Sequence, residues 1–176
     1  DSNDAVFFMV RPISEADHNE TITLGASFST VNKGEIITDN NKDKAVNKNL
    51  SAAAIINKES IVNVTFLKIF IINEPVLYKN IDNHTNKTVA SSIIVASVTR
   101  NNSQLQSPMN ISLFFQIIPA LKPNITNVDY YCSFYDTNTS QWSESGCTKP
   151  RYNSQWDRYE CSCNHLTSFA LIWLPN

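Results

Sequence analysis

Two residues near the end of the chain, His165 and Thr167, are of the types that carry proton transfer and nucleophilic attack, and one residue separates them. An imidazole with an ordinary pKa near 6.5 is largely neutral at physiological pH. It is suited to take the proton from a nearby threonine hydroxyl, turning Thr167 into a nucleophile. Taken alone, the pair reads better as an ordinary half-buried histidine followed by a strand threonine, because most such residues serve the fold. What changes the balance is the setting, which has to hold both side chains in place.

All four cysteines, Cys132, Cys147, Cys161 and Cys163, fall in the last quarter of the chain. In an extended segment Cys161 and Cys163 point to the same face, and a bond between them would close a very small, strained ring. Each must therefore reach back to Cys132 or Cys147. Two connectivities remain, Cys132–Cys161 with Cys147–Cys163, or the crossed choice; the first is the working expectation. Each bridge should stabilise this end of the domain by roughly 3 kcal/mol through loop closure. The rival reading is a zinc site built from Cys161, Cys163, His165 and an earlier cysteine. The paired ligand spacing of structural zinc sites is missing, and no metal is expected.

The compartment is legible in the asparagines. With 22 Asn, 19 Ser and 13 Thr in 176 residues, chance predicts about four Asn-x-Ser/Thr acceptor sites. There are nine, at Asn19, Asn49, Asn63, Asn83, Asn86, Asn101, Asn110, Asn124 and Asn138, none with proline in the middle. An N-glycosylated, secretory-pathway surface follows, and such a compartment is oxidising enough for the two disulfides.

Composition removes other classes. The formal charge of −2, with basic residues scattered among acidic ones, argues against a nucleic-acid partner. Three isolated glycines, Gly25, Gly34 and Gly146, cannot build a phosphate-cradling loop, so no nucleotide cofactor is expected, nor any other. No apolar run reaches the length of a membrane span, and the chain opens Asp1-Ser2-Asn3, which suggests a soluble piece of a longer protein.

The elements that must position the chemistry read as strands. In IVNVTFLKIFII, from Ile61 to Ile72, Val62, Val64 and Phe66 share one parity and Asn63 and Thr65 the other. NISLFFQII repeats the arrangement, with Ile111, Leu113, Phe115 and Ile117 inward and Asn110 and Ser112 outward. Further strands are expected at Ala5–Val10, Thr21–Phe28, Gly34–Thr38, Val89–Val98, Val128–Tyr135, Tyr159–Cys163 and Ser168–Leu174, about nine in all. Asn49–Lys58, with its Ala52-Ala53-Ala54, is expected to form a helical turn or two. The fold class is mostly β: one domain, an antiparallel β-sandwich with two disulfides near its end.

The final stretch is the most specific. Cys132-Ser-Phe134-Tyr135-Asp136, then Trp142, then Gly146-Cys147, then Cys161-Ser-Cys163-Asn164-His165-Leu166-Thr167-Ser-Phe169-Ala170 resembles the proteolysis-site (GPS) motif that ends the GAIN domain of adhesion G-protein-coupled receptors and polycystin-type membrane proteins. The resemblance implies that residues 1–176 are GAIN subdomain B, with the GPS motif at 132–170 and a tethered-agonist strand at 167–176. It implies that Thr167 Oγ attacks the Leu166 carbonyl, that the Leu166–Thr167 amide shifts from nitrogen to oxygen, and that water hydrolyses the ester. This is a single-turnover reaction on the chain's own backbone, with no external substrate. It calls for a strained turn and a preformed attack geometry, worth up to about 7–11 kcal/mol in ideal intramolecular cases. Asn164 is a candidate orienter of that turn. Trp142 and Phe134 read as core aromatics, and His18 and His84 receive no role.

The resemblance further implies that the two fragments stay together as a heterodimer on the extracellular side of the plasma membrane. The strand, through Thr167, Phe169, Ile172 and Trp173, would activate the receptor's own seven-transmembrane domain when extracted. The family's usual run at this point is T-x-F-A-V-L-M, so Ile172 and especially Trp173 are departures. An extracellular protein ligand is a further expected partner. Two alternatives predict different behaviour. A non-cleaving GAIN module would act in adhesion, as a mechanical element or as a ligand-binding domain. A free secreted, lectin-like sandwich would be indifferent to Thr167→Ala.

Overall fold

The computed structural model describes residues 6–13, 22–27, 35–39, 50–73, 78, 81–100 and 109–176. Within them run thirteen strands: β1 (Val6–Pro12), β2 (Ile22–Ser27), β3 (Glu35–Asp39), β4 (Ala52–Ile56), β5 (Val64–Ile72), β6 (Thr88–Val89), β7 (Ile93–Arg100), β8 (Ile111–Phe115), β9 (Val128–Asp136), β10 (Gln141–Ser143), β11 (Arg151–Asn153), β12 (Arg158–Cys163) and β13 (Ser168–Pro175). They form two sheets, one ordered β1-β5-β7-β13-β9-β10 with β6 also on β13, the other β11-β12-β8-β4-β2-β3. Every pairing among these strands is antiparallel. This is the expected β-sandwich.

The core lies between the sheets. Ile22, Leu24, Ala52, Ala54, Ile56, Ile111, Leu113 and Phe115 of one meet Leu67, Ile69, Ile71, Ile94, Ala96, Phe169 and Leu171 of the other. Cys132 on β9 and Cys161 on β12 join within that core, so this disulfide links the two sheets. The second disulfide, Cys147–Cys163, fastens the segment after β10 to the end of β12. The expected connectivity holds, and the crossed one does not occur.

Two local readings are corrected. Residues 50–57 are not helical: Ala52–Ile56 is β4, inserted between β2 and β8 and buried at all five positions, and the helical turn there is a short 3-10 turn, Lys58–Ile61, after the strand. Alanine has high intrinsic helix propensity, but tertiary pairing overrides it. Ala52, Ala54 and Ile56 face the main core, while Ala53 and Ile55 pack with Leu50 and Phe114 on the opposite face. Small side chains fit because the sheet is covered closely there; a methyl at Gly25 would stand 2.8 Å from Leu50 Cδ1. In β5 the parity inverts, because the pairing with β7 shifts register between Val64 and Phe66. Val64 is buried, but Val62 and Phe66 are 42% and 45% exposed, and Leu67, Ile69 and Ile71 take the inward positions. Asn63 sits in the preceding turn at φ +63°. Of the expected inward set, Ile111, Leu113 and Phe115 on β8 are fully buried, while Ile117, past the end of the strand, is half-buried against the same core.

β13 lies inside its sheet, with β9 along one edge for residues 169–175. On its other edge β7 pairs with residues 168–169 and β6 with 172–173. The gap between β6 and β7 is closed by Ala90 N–H donating to Leu171 O (2.9 Å) and Leu171 N–H donating to the Ser91 hydroxyl (2.8 Å). Both faces are covered as well. Phe169 and Leu171 enter the inter-sheet core, while Ala170 and Ile172 join Val89, Ile93 and Trp142 in a second cluster on the outer side. Burying Phe169, Leu171 and Ile172 contributes about 1.5–3 kcal/mol each.

The segment that builds this outer cover is anchored by Asp82. Its buried carboxylate accepts from the backbone N–H groups of His84 (2.9 Å), Thr85 (3.0 Å) and Trp142 (2.9 Å) and from the Thr85 hydroxyl (2.5 Å). Lys87 adds a second tie to β10, donating to Trp142 O and pairing with Glu144 at 2.7 Å. Burial pushes the Asp82 pKa up, but the bonds from Thr85, Trp142 and His84 together outweigh it and hold the group below 3.8. Asp82→Ala removes the acceptor and strands donors in a buried site, so a loss of about 2–4 kcal/mol is expected. Urea unfolding against the unsubstituted chain measures it; an unchanged midpoint would show that the anchor is dispensable.

Candidate functional site

β12 belongs to one sheet and β13 to the other, so the four residues between them, Asn164 to Thr167, form the turn that carries the chain across the sandwich. Both ends of that turn are pinned. Asn164 N–H donates to Gly146 O (2.9 Å), and Thr167 O accepts from Ala96 N–H on β7 (3.0 Å). Leu166 packs partly buried against the main core. None of residues 164–167 has a positive φ; the left-handed residue at the site is Gly146, at φ +78°, across the Cys147–Cys163 bridge. The site is therefore built on a held turn whose special backbone conformation lies in the neighbouring loop.

His165 is set between two aromatic rings. Phe134 on β9 meets it edge-on with centroids 4.4 Å apart, and Phe169 on β13 lies tilted at 5.5 Å. Its Nδ1 is 3.1 Å from Asn164 Oδ1. Its Nε2 is buried and has no hydrogen-bond partner among the described residues. Burial lowers its pKa below 6.5, because the apolar surroundings disfavour the imidazolium. The result is a neutral imidazole at physiological pH, one nitrogen engaged by Asn164 and the other, Nε2, not hydrogen-bonded to the Thr167 hydroxyl two residues on.

The sign of the pH dependence follows. A histidine whose folded-state pKa lies below its unfolded value favours folding above 6.5, and that stability is lost as the pH falls through the folded-state value. In a Thr167→Ala chain the His165 ring should titrate with a midpoint below 6.5 by NMR. A midpoint at or above that value contradicts the buried, neutral ring.

The structure thus brings His165, Leu166 and Thr167 onto one turn and places Asn164 beside the ring, while Trp142 is a fully buried core aromatic. Phe134, expected as a core aromatic, also touches His165, and sequence spacing gave no sign of it because the contact spans β9 and the turn. Gly146 was visible as one of three glycines and in the Gly146-Cys147 pair of the motif, but with no role of its own. Of the strand residues, Phe169 and Ile172 are fully buried and Trp173 is half-buried. Among the acceptor asparagines, Asn83, Asn86, Asn110, Asn124 and Asn138 are exposed and Asn63 is half-buried; Asn19, Asn49 and Asn101 lie outside the described residues, as does His18. His84 is exposed. No cluster of three or more metal-ligating side chains occurs among the described residues.

The family model for the GPS, described as GAIN subdomain B, matches residues 5–176. The chain belongs to the GAIN subdomain B family. This subdomain is 31% identical over 90 residues to mouse adhesion G-protein coupled receptor F1, an alignment covering 47% of this chain and 10% of the receptor. It is 30% identical over 95 residues to rat adhesion G protein-coupled receptor F5, covering 51% of this chain and 6% of the receptor. Human receptor F1 aligns at 28% identity over 90 residues, covering 46% of this chain and 10% of the receptor. The match therefore takes in a tenth or less of the receptors' own length. GAIN subdomain B is here the two-sheet, two-disulfide sandwich with β13 inserted in one sheet.

Proposed function

We propose that this GAIN subdomain B cuts its own backbone once, between Leu166 and Thr167, and retains the severed strand as the tethered agonist of an adhesion receptor. The observation that carries the reading is His165, neutral and with Nε2 unpaired, on the same held turn as Leu166 and Thr167. Nε2 takes the Thr167 hydroxyl proton as Oγ bonds to the Leu166 carbonyl carbon. The ring so formed has five members (Oγ, Cβ, Cα and N of Thr167 and the carbonyl carbon), so covalent connection alone brings nucleophile and target close. The proton passes to the Thr167 nitrogen, the C–N bond breaks, and Leu166 is left as an ester on Oγ. Water then hydrolyses the ester, giving a Leu166 carboxylate and a free Thr167 amine with its hydroxyl restored.

The two pieces stay associated because β13 is hydrogen-bonded along both edges and packed on both faces. Residues 167–176 then form the agonist, with Phe169, Ile172 and Trp173 as the side chains that would engage the receptor's seven-transmembrane domain. The setting is the extracellular side of the plasma membrane, consistent with the disulfides and with five exposed glycan-acceptor asparagines among the described residues. Intact-mass analysis of the deglycosylated protein tests the reading. Under denaturing conditions it should resolve a fragment beginning at Thr167, and under native conditions the fragments should co-elute. A chain that folds and stays whole overturns it.

A further inference from the structure

We propose that Asn164 and Gly146 are positioning residues that fix the tautomer of His165, so that Nε2 carries the lone pair offered to Thr167. The inference rests on the self-cleavage reading and adds to it a mechanism for preparing the base. An amide oxygen only accepts hydrogen bonds, so the 3.1 Å contact between Asn164 Oδ1 and His165 Nδ1 requires a proton on Nδ1. A neutral imidazole has one N–H, and Nε2 is therefore the unprotonated nitrogen. It is also the nitrogen that is buried and without a hydrogen-bond partner among the described residues.

Gly146 makes room for this arrangement. A Cβ at position 146 would overlap Asn164 Oδ1, stand 3.0 Å from its Cγ and come within 3.2 Å of His165 Nδ1. The φ of +78° independently disfavours a side chain there. The backbone of the same residue holds Asn164, whose N–H donates to Gly146 O. The Cys147–Cys163 bridge joins the residues next to each of them, and Thr148 N–H donates to Ser162 O at 2.8 Å one step further along. The loop carrying Gly146 and the turn carrying Asn164 are thus locked together, with the carboxamide oxygen lying where a glycine hydrogen, and nothing larger, can face it.

The test uses the full chain. In the Thr167→Ala background, which holds the chain uncleaved, nitrogen-15 NMR of the His165 ring should show Nδ1 protonated and Nε2 bare. Adding Asn164→Ala should move the population to Nε2–H. Asn164 is exposed, so its truncation leaves the core intact. With Thr167 restored, Asn164→Ala should slow cleavage at least about tenfold, as a wrong tautomer disables other histidine bases. Asn164→Asp, which keeps an acceptor, should recover part of the rate, and Gly146→Ala should behave like Asn164→Ala. An Nε2–H ring with Asn164 in place overturns the proposal, as does Asn164→Ala cleaving at the unsubstituted rate. An unsubstituted chain that never cleaves sinks the self-cleavage reading instead, and the ring tautomer still decides this one.

Discussion

Thr167→Ala should leave a single chain of full-length mass where the unsubstituted protein, on the proposed function, should give two pieces. The expected effect is all-or-none, because alanine has no oxygen with which to form the ester, and no other hydroxyl is joined to Leu166 through its own amide nitrogen. The fold has little reason to change. Thr167 is half-buried, and its tie to β7 is made by a backbone carbonyl that alanine retains. Thr167→Ser is the informative partner: it keeps the hydroxyl and should still cut, though more slowly, since loss of the β-methyl loosens χ1 and dilutes the attacking rotamer. Intact mass after a fixed time separates the three chains. Cleavage in the alanine variant would assign the cut to an outside protease.

His165→Ala should reduce cleavage by about 10²–10⁴-fold, the usual contribution of a positioned general base. The loss should come from chemistry more than from unfolding. Phe134 and Phe169 remain anchored in β9 and β13, and both disulfides are untouched. Removing the ring opens a space between those two aromatics, so free imidazole added to the folded variant should restore part of the cutting. His165→Gln, which keeps bulk but lacks a base of suitable pKa, should not be better than alanine without imidazole. A His165→Ala chain that cuts at the unsubstituted rate would remove His165 from the mechanism.

How far the sequence went depends on the kind of pattern each element leaves. β8 announces itself by its inward-facing Ile111, Leu113 and Phe115 alternating with Ser112, although Phe114 is buried on the other face as well. β4 did not, because a strand buried on both faces and made mostly of alanine has no alternation to display and carries a helix-former's composition. β5 was found but its facing was inverted, since one extra residue at a bulge is enough to exchange the two parities. β6, β10 and β11, of two or three residues each, are too short to show a period. At the site, His165 and Thr167 are close in sequence and their motif is local, so they were legible. The contributions of Phe134, Gly146 and Ser91 come from distant segments that meet only when the sheets close.

The position of β13 also dictates an order of assembly. It separates β7 from β9, and it follows both along the chain. Until residues 168–175 insert, the larger sheet consists of two unconnected halves, β1-β5-β7 and β9-β10, each presenting a bare edge. The crossing turn has nothing to span, and His165 lacks the ring of Phe169. On the proposed function, self-cutting would come after folding and report it: a misassembled molecule would stay in one piece. The proposed break would fall only once the sheet no longer needs a continuous backbone there.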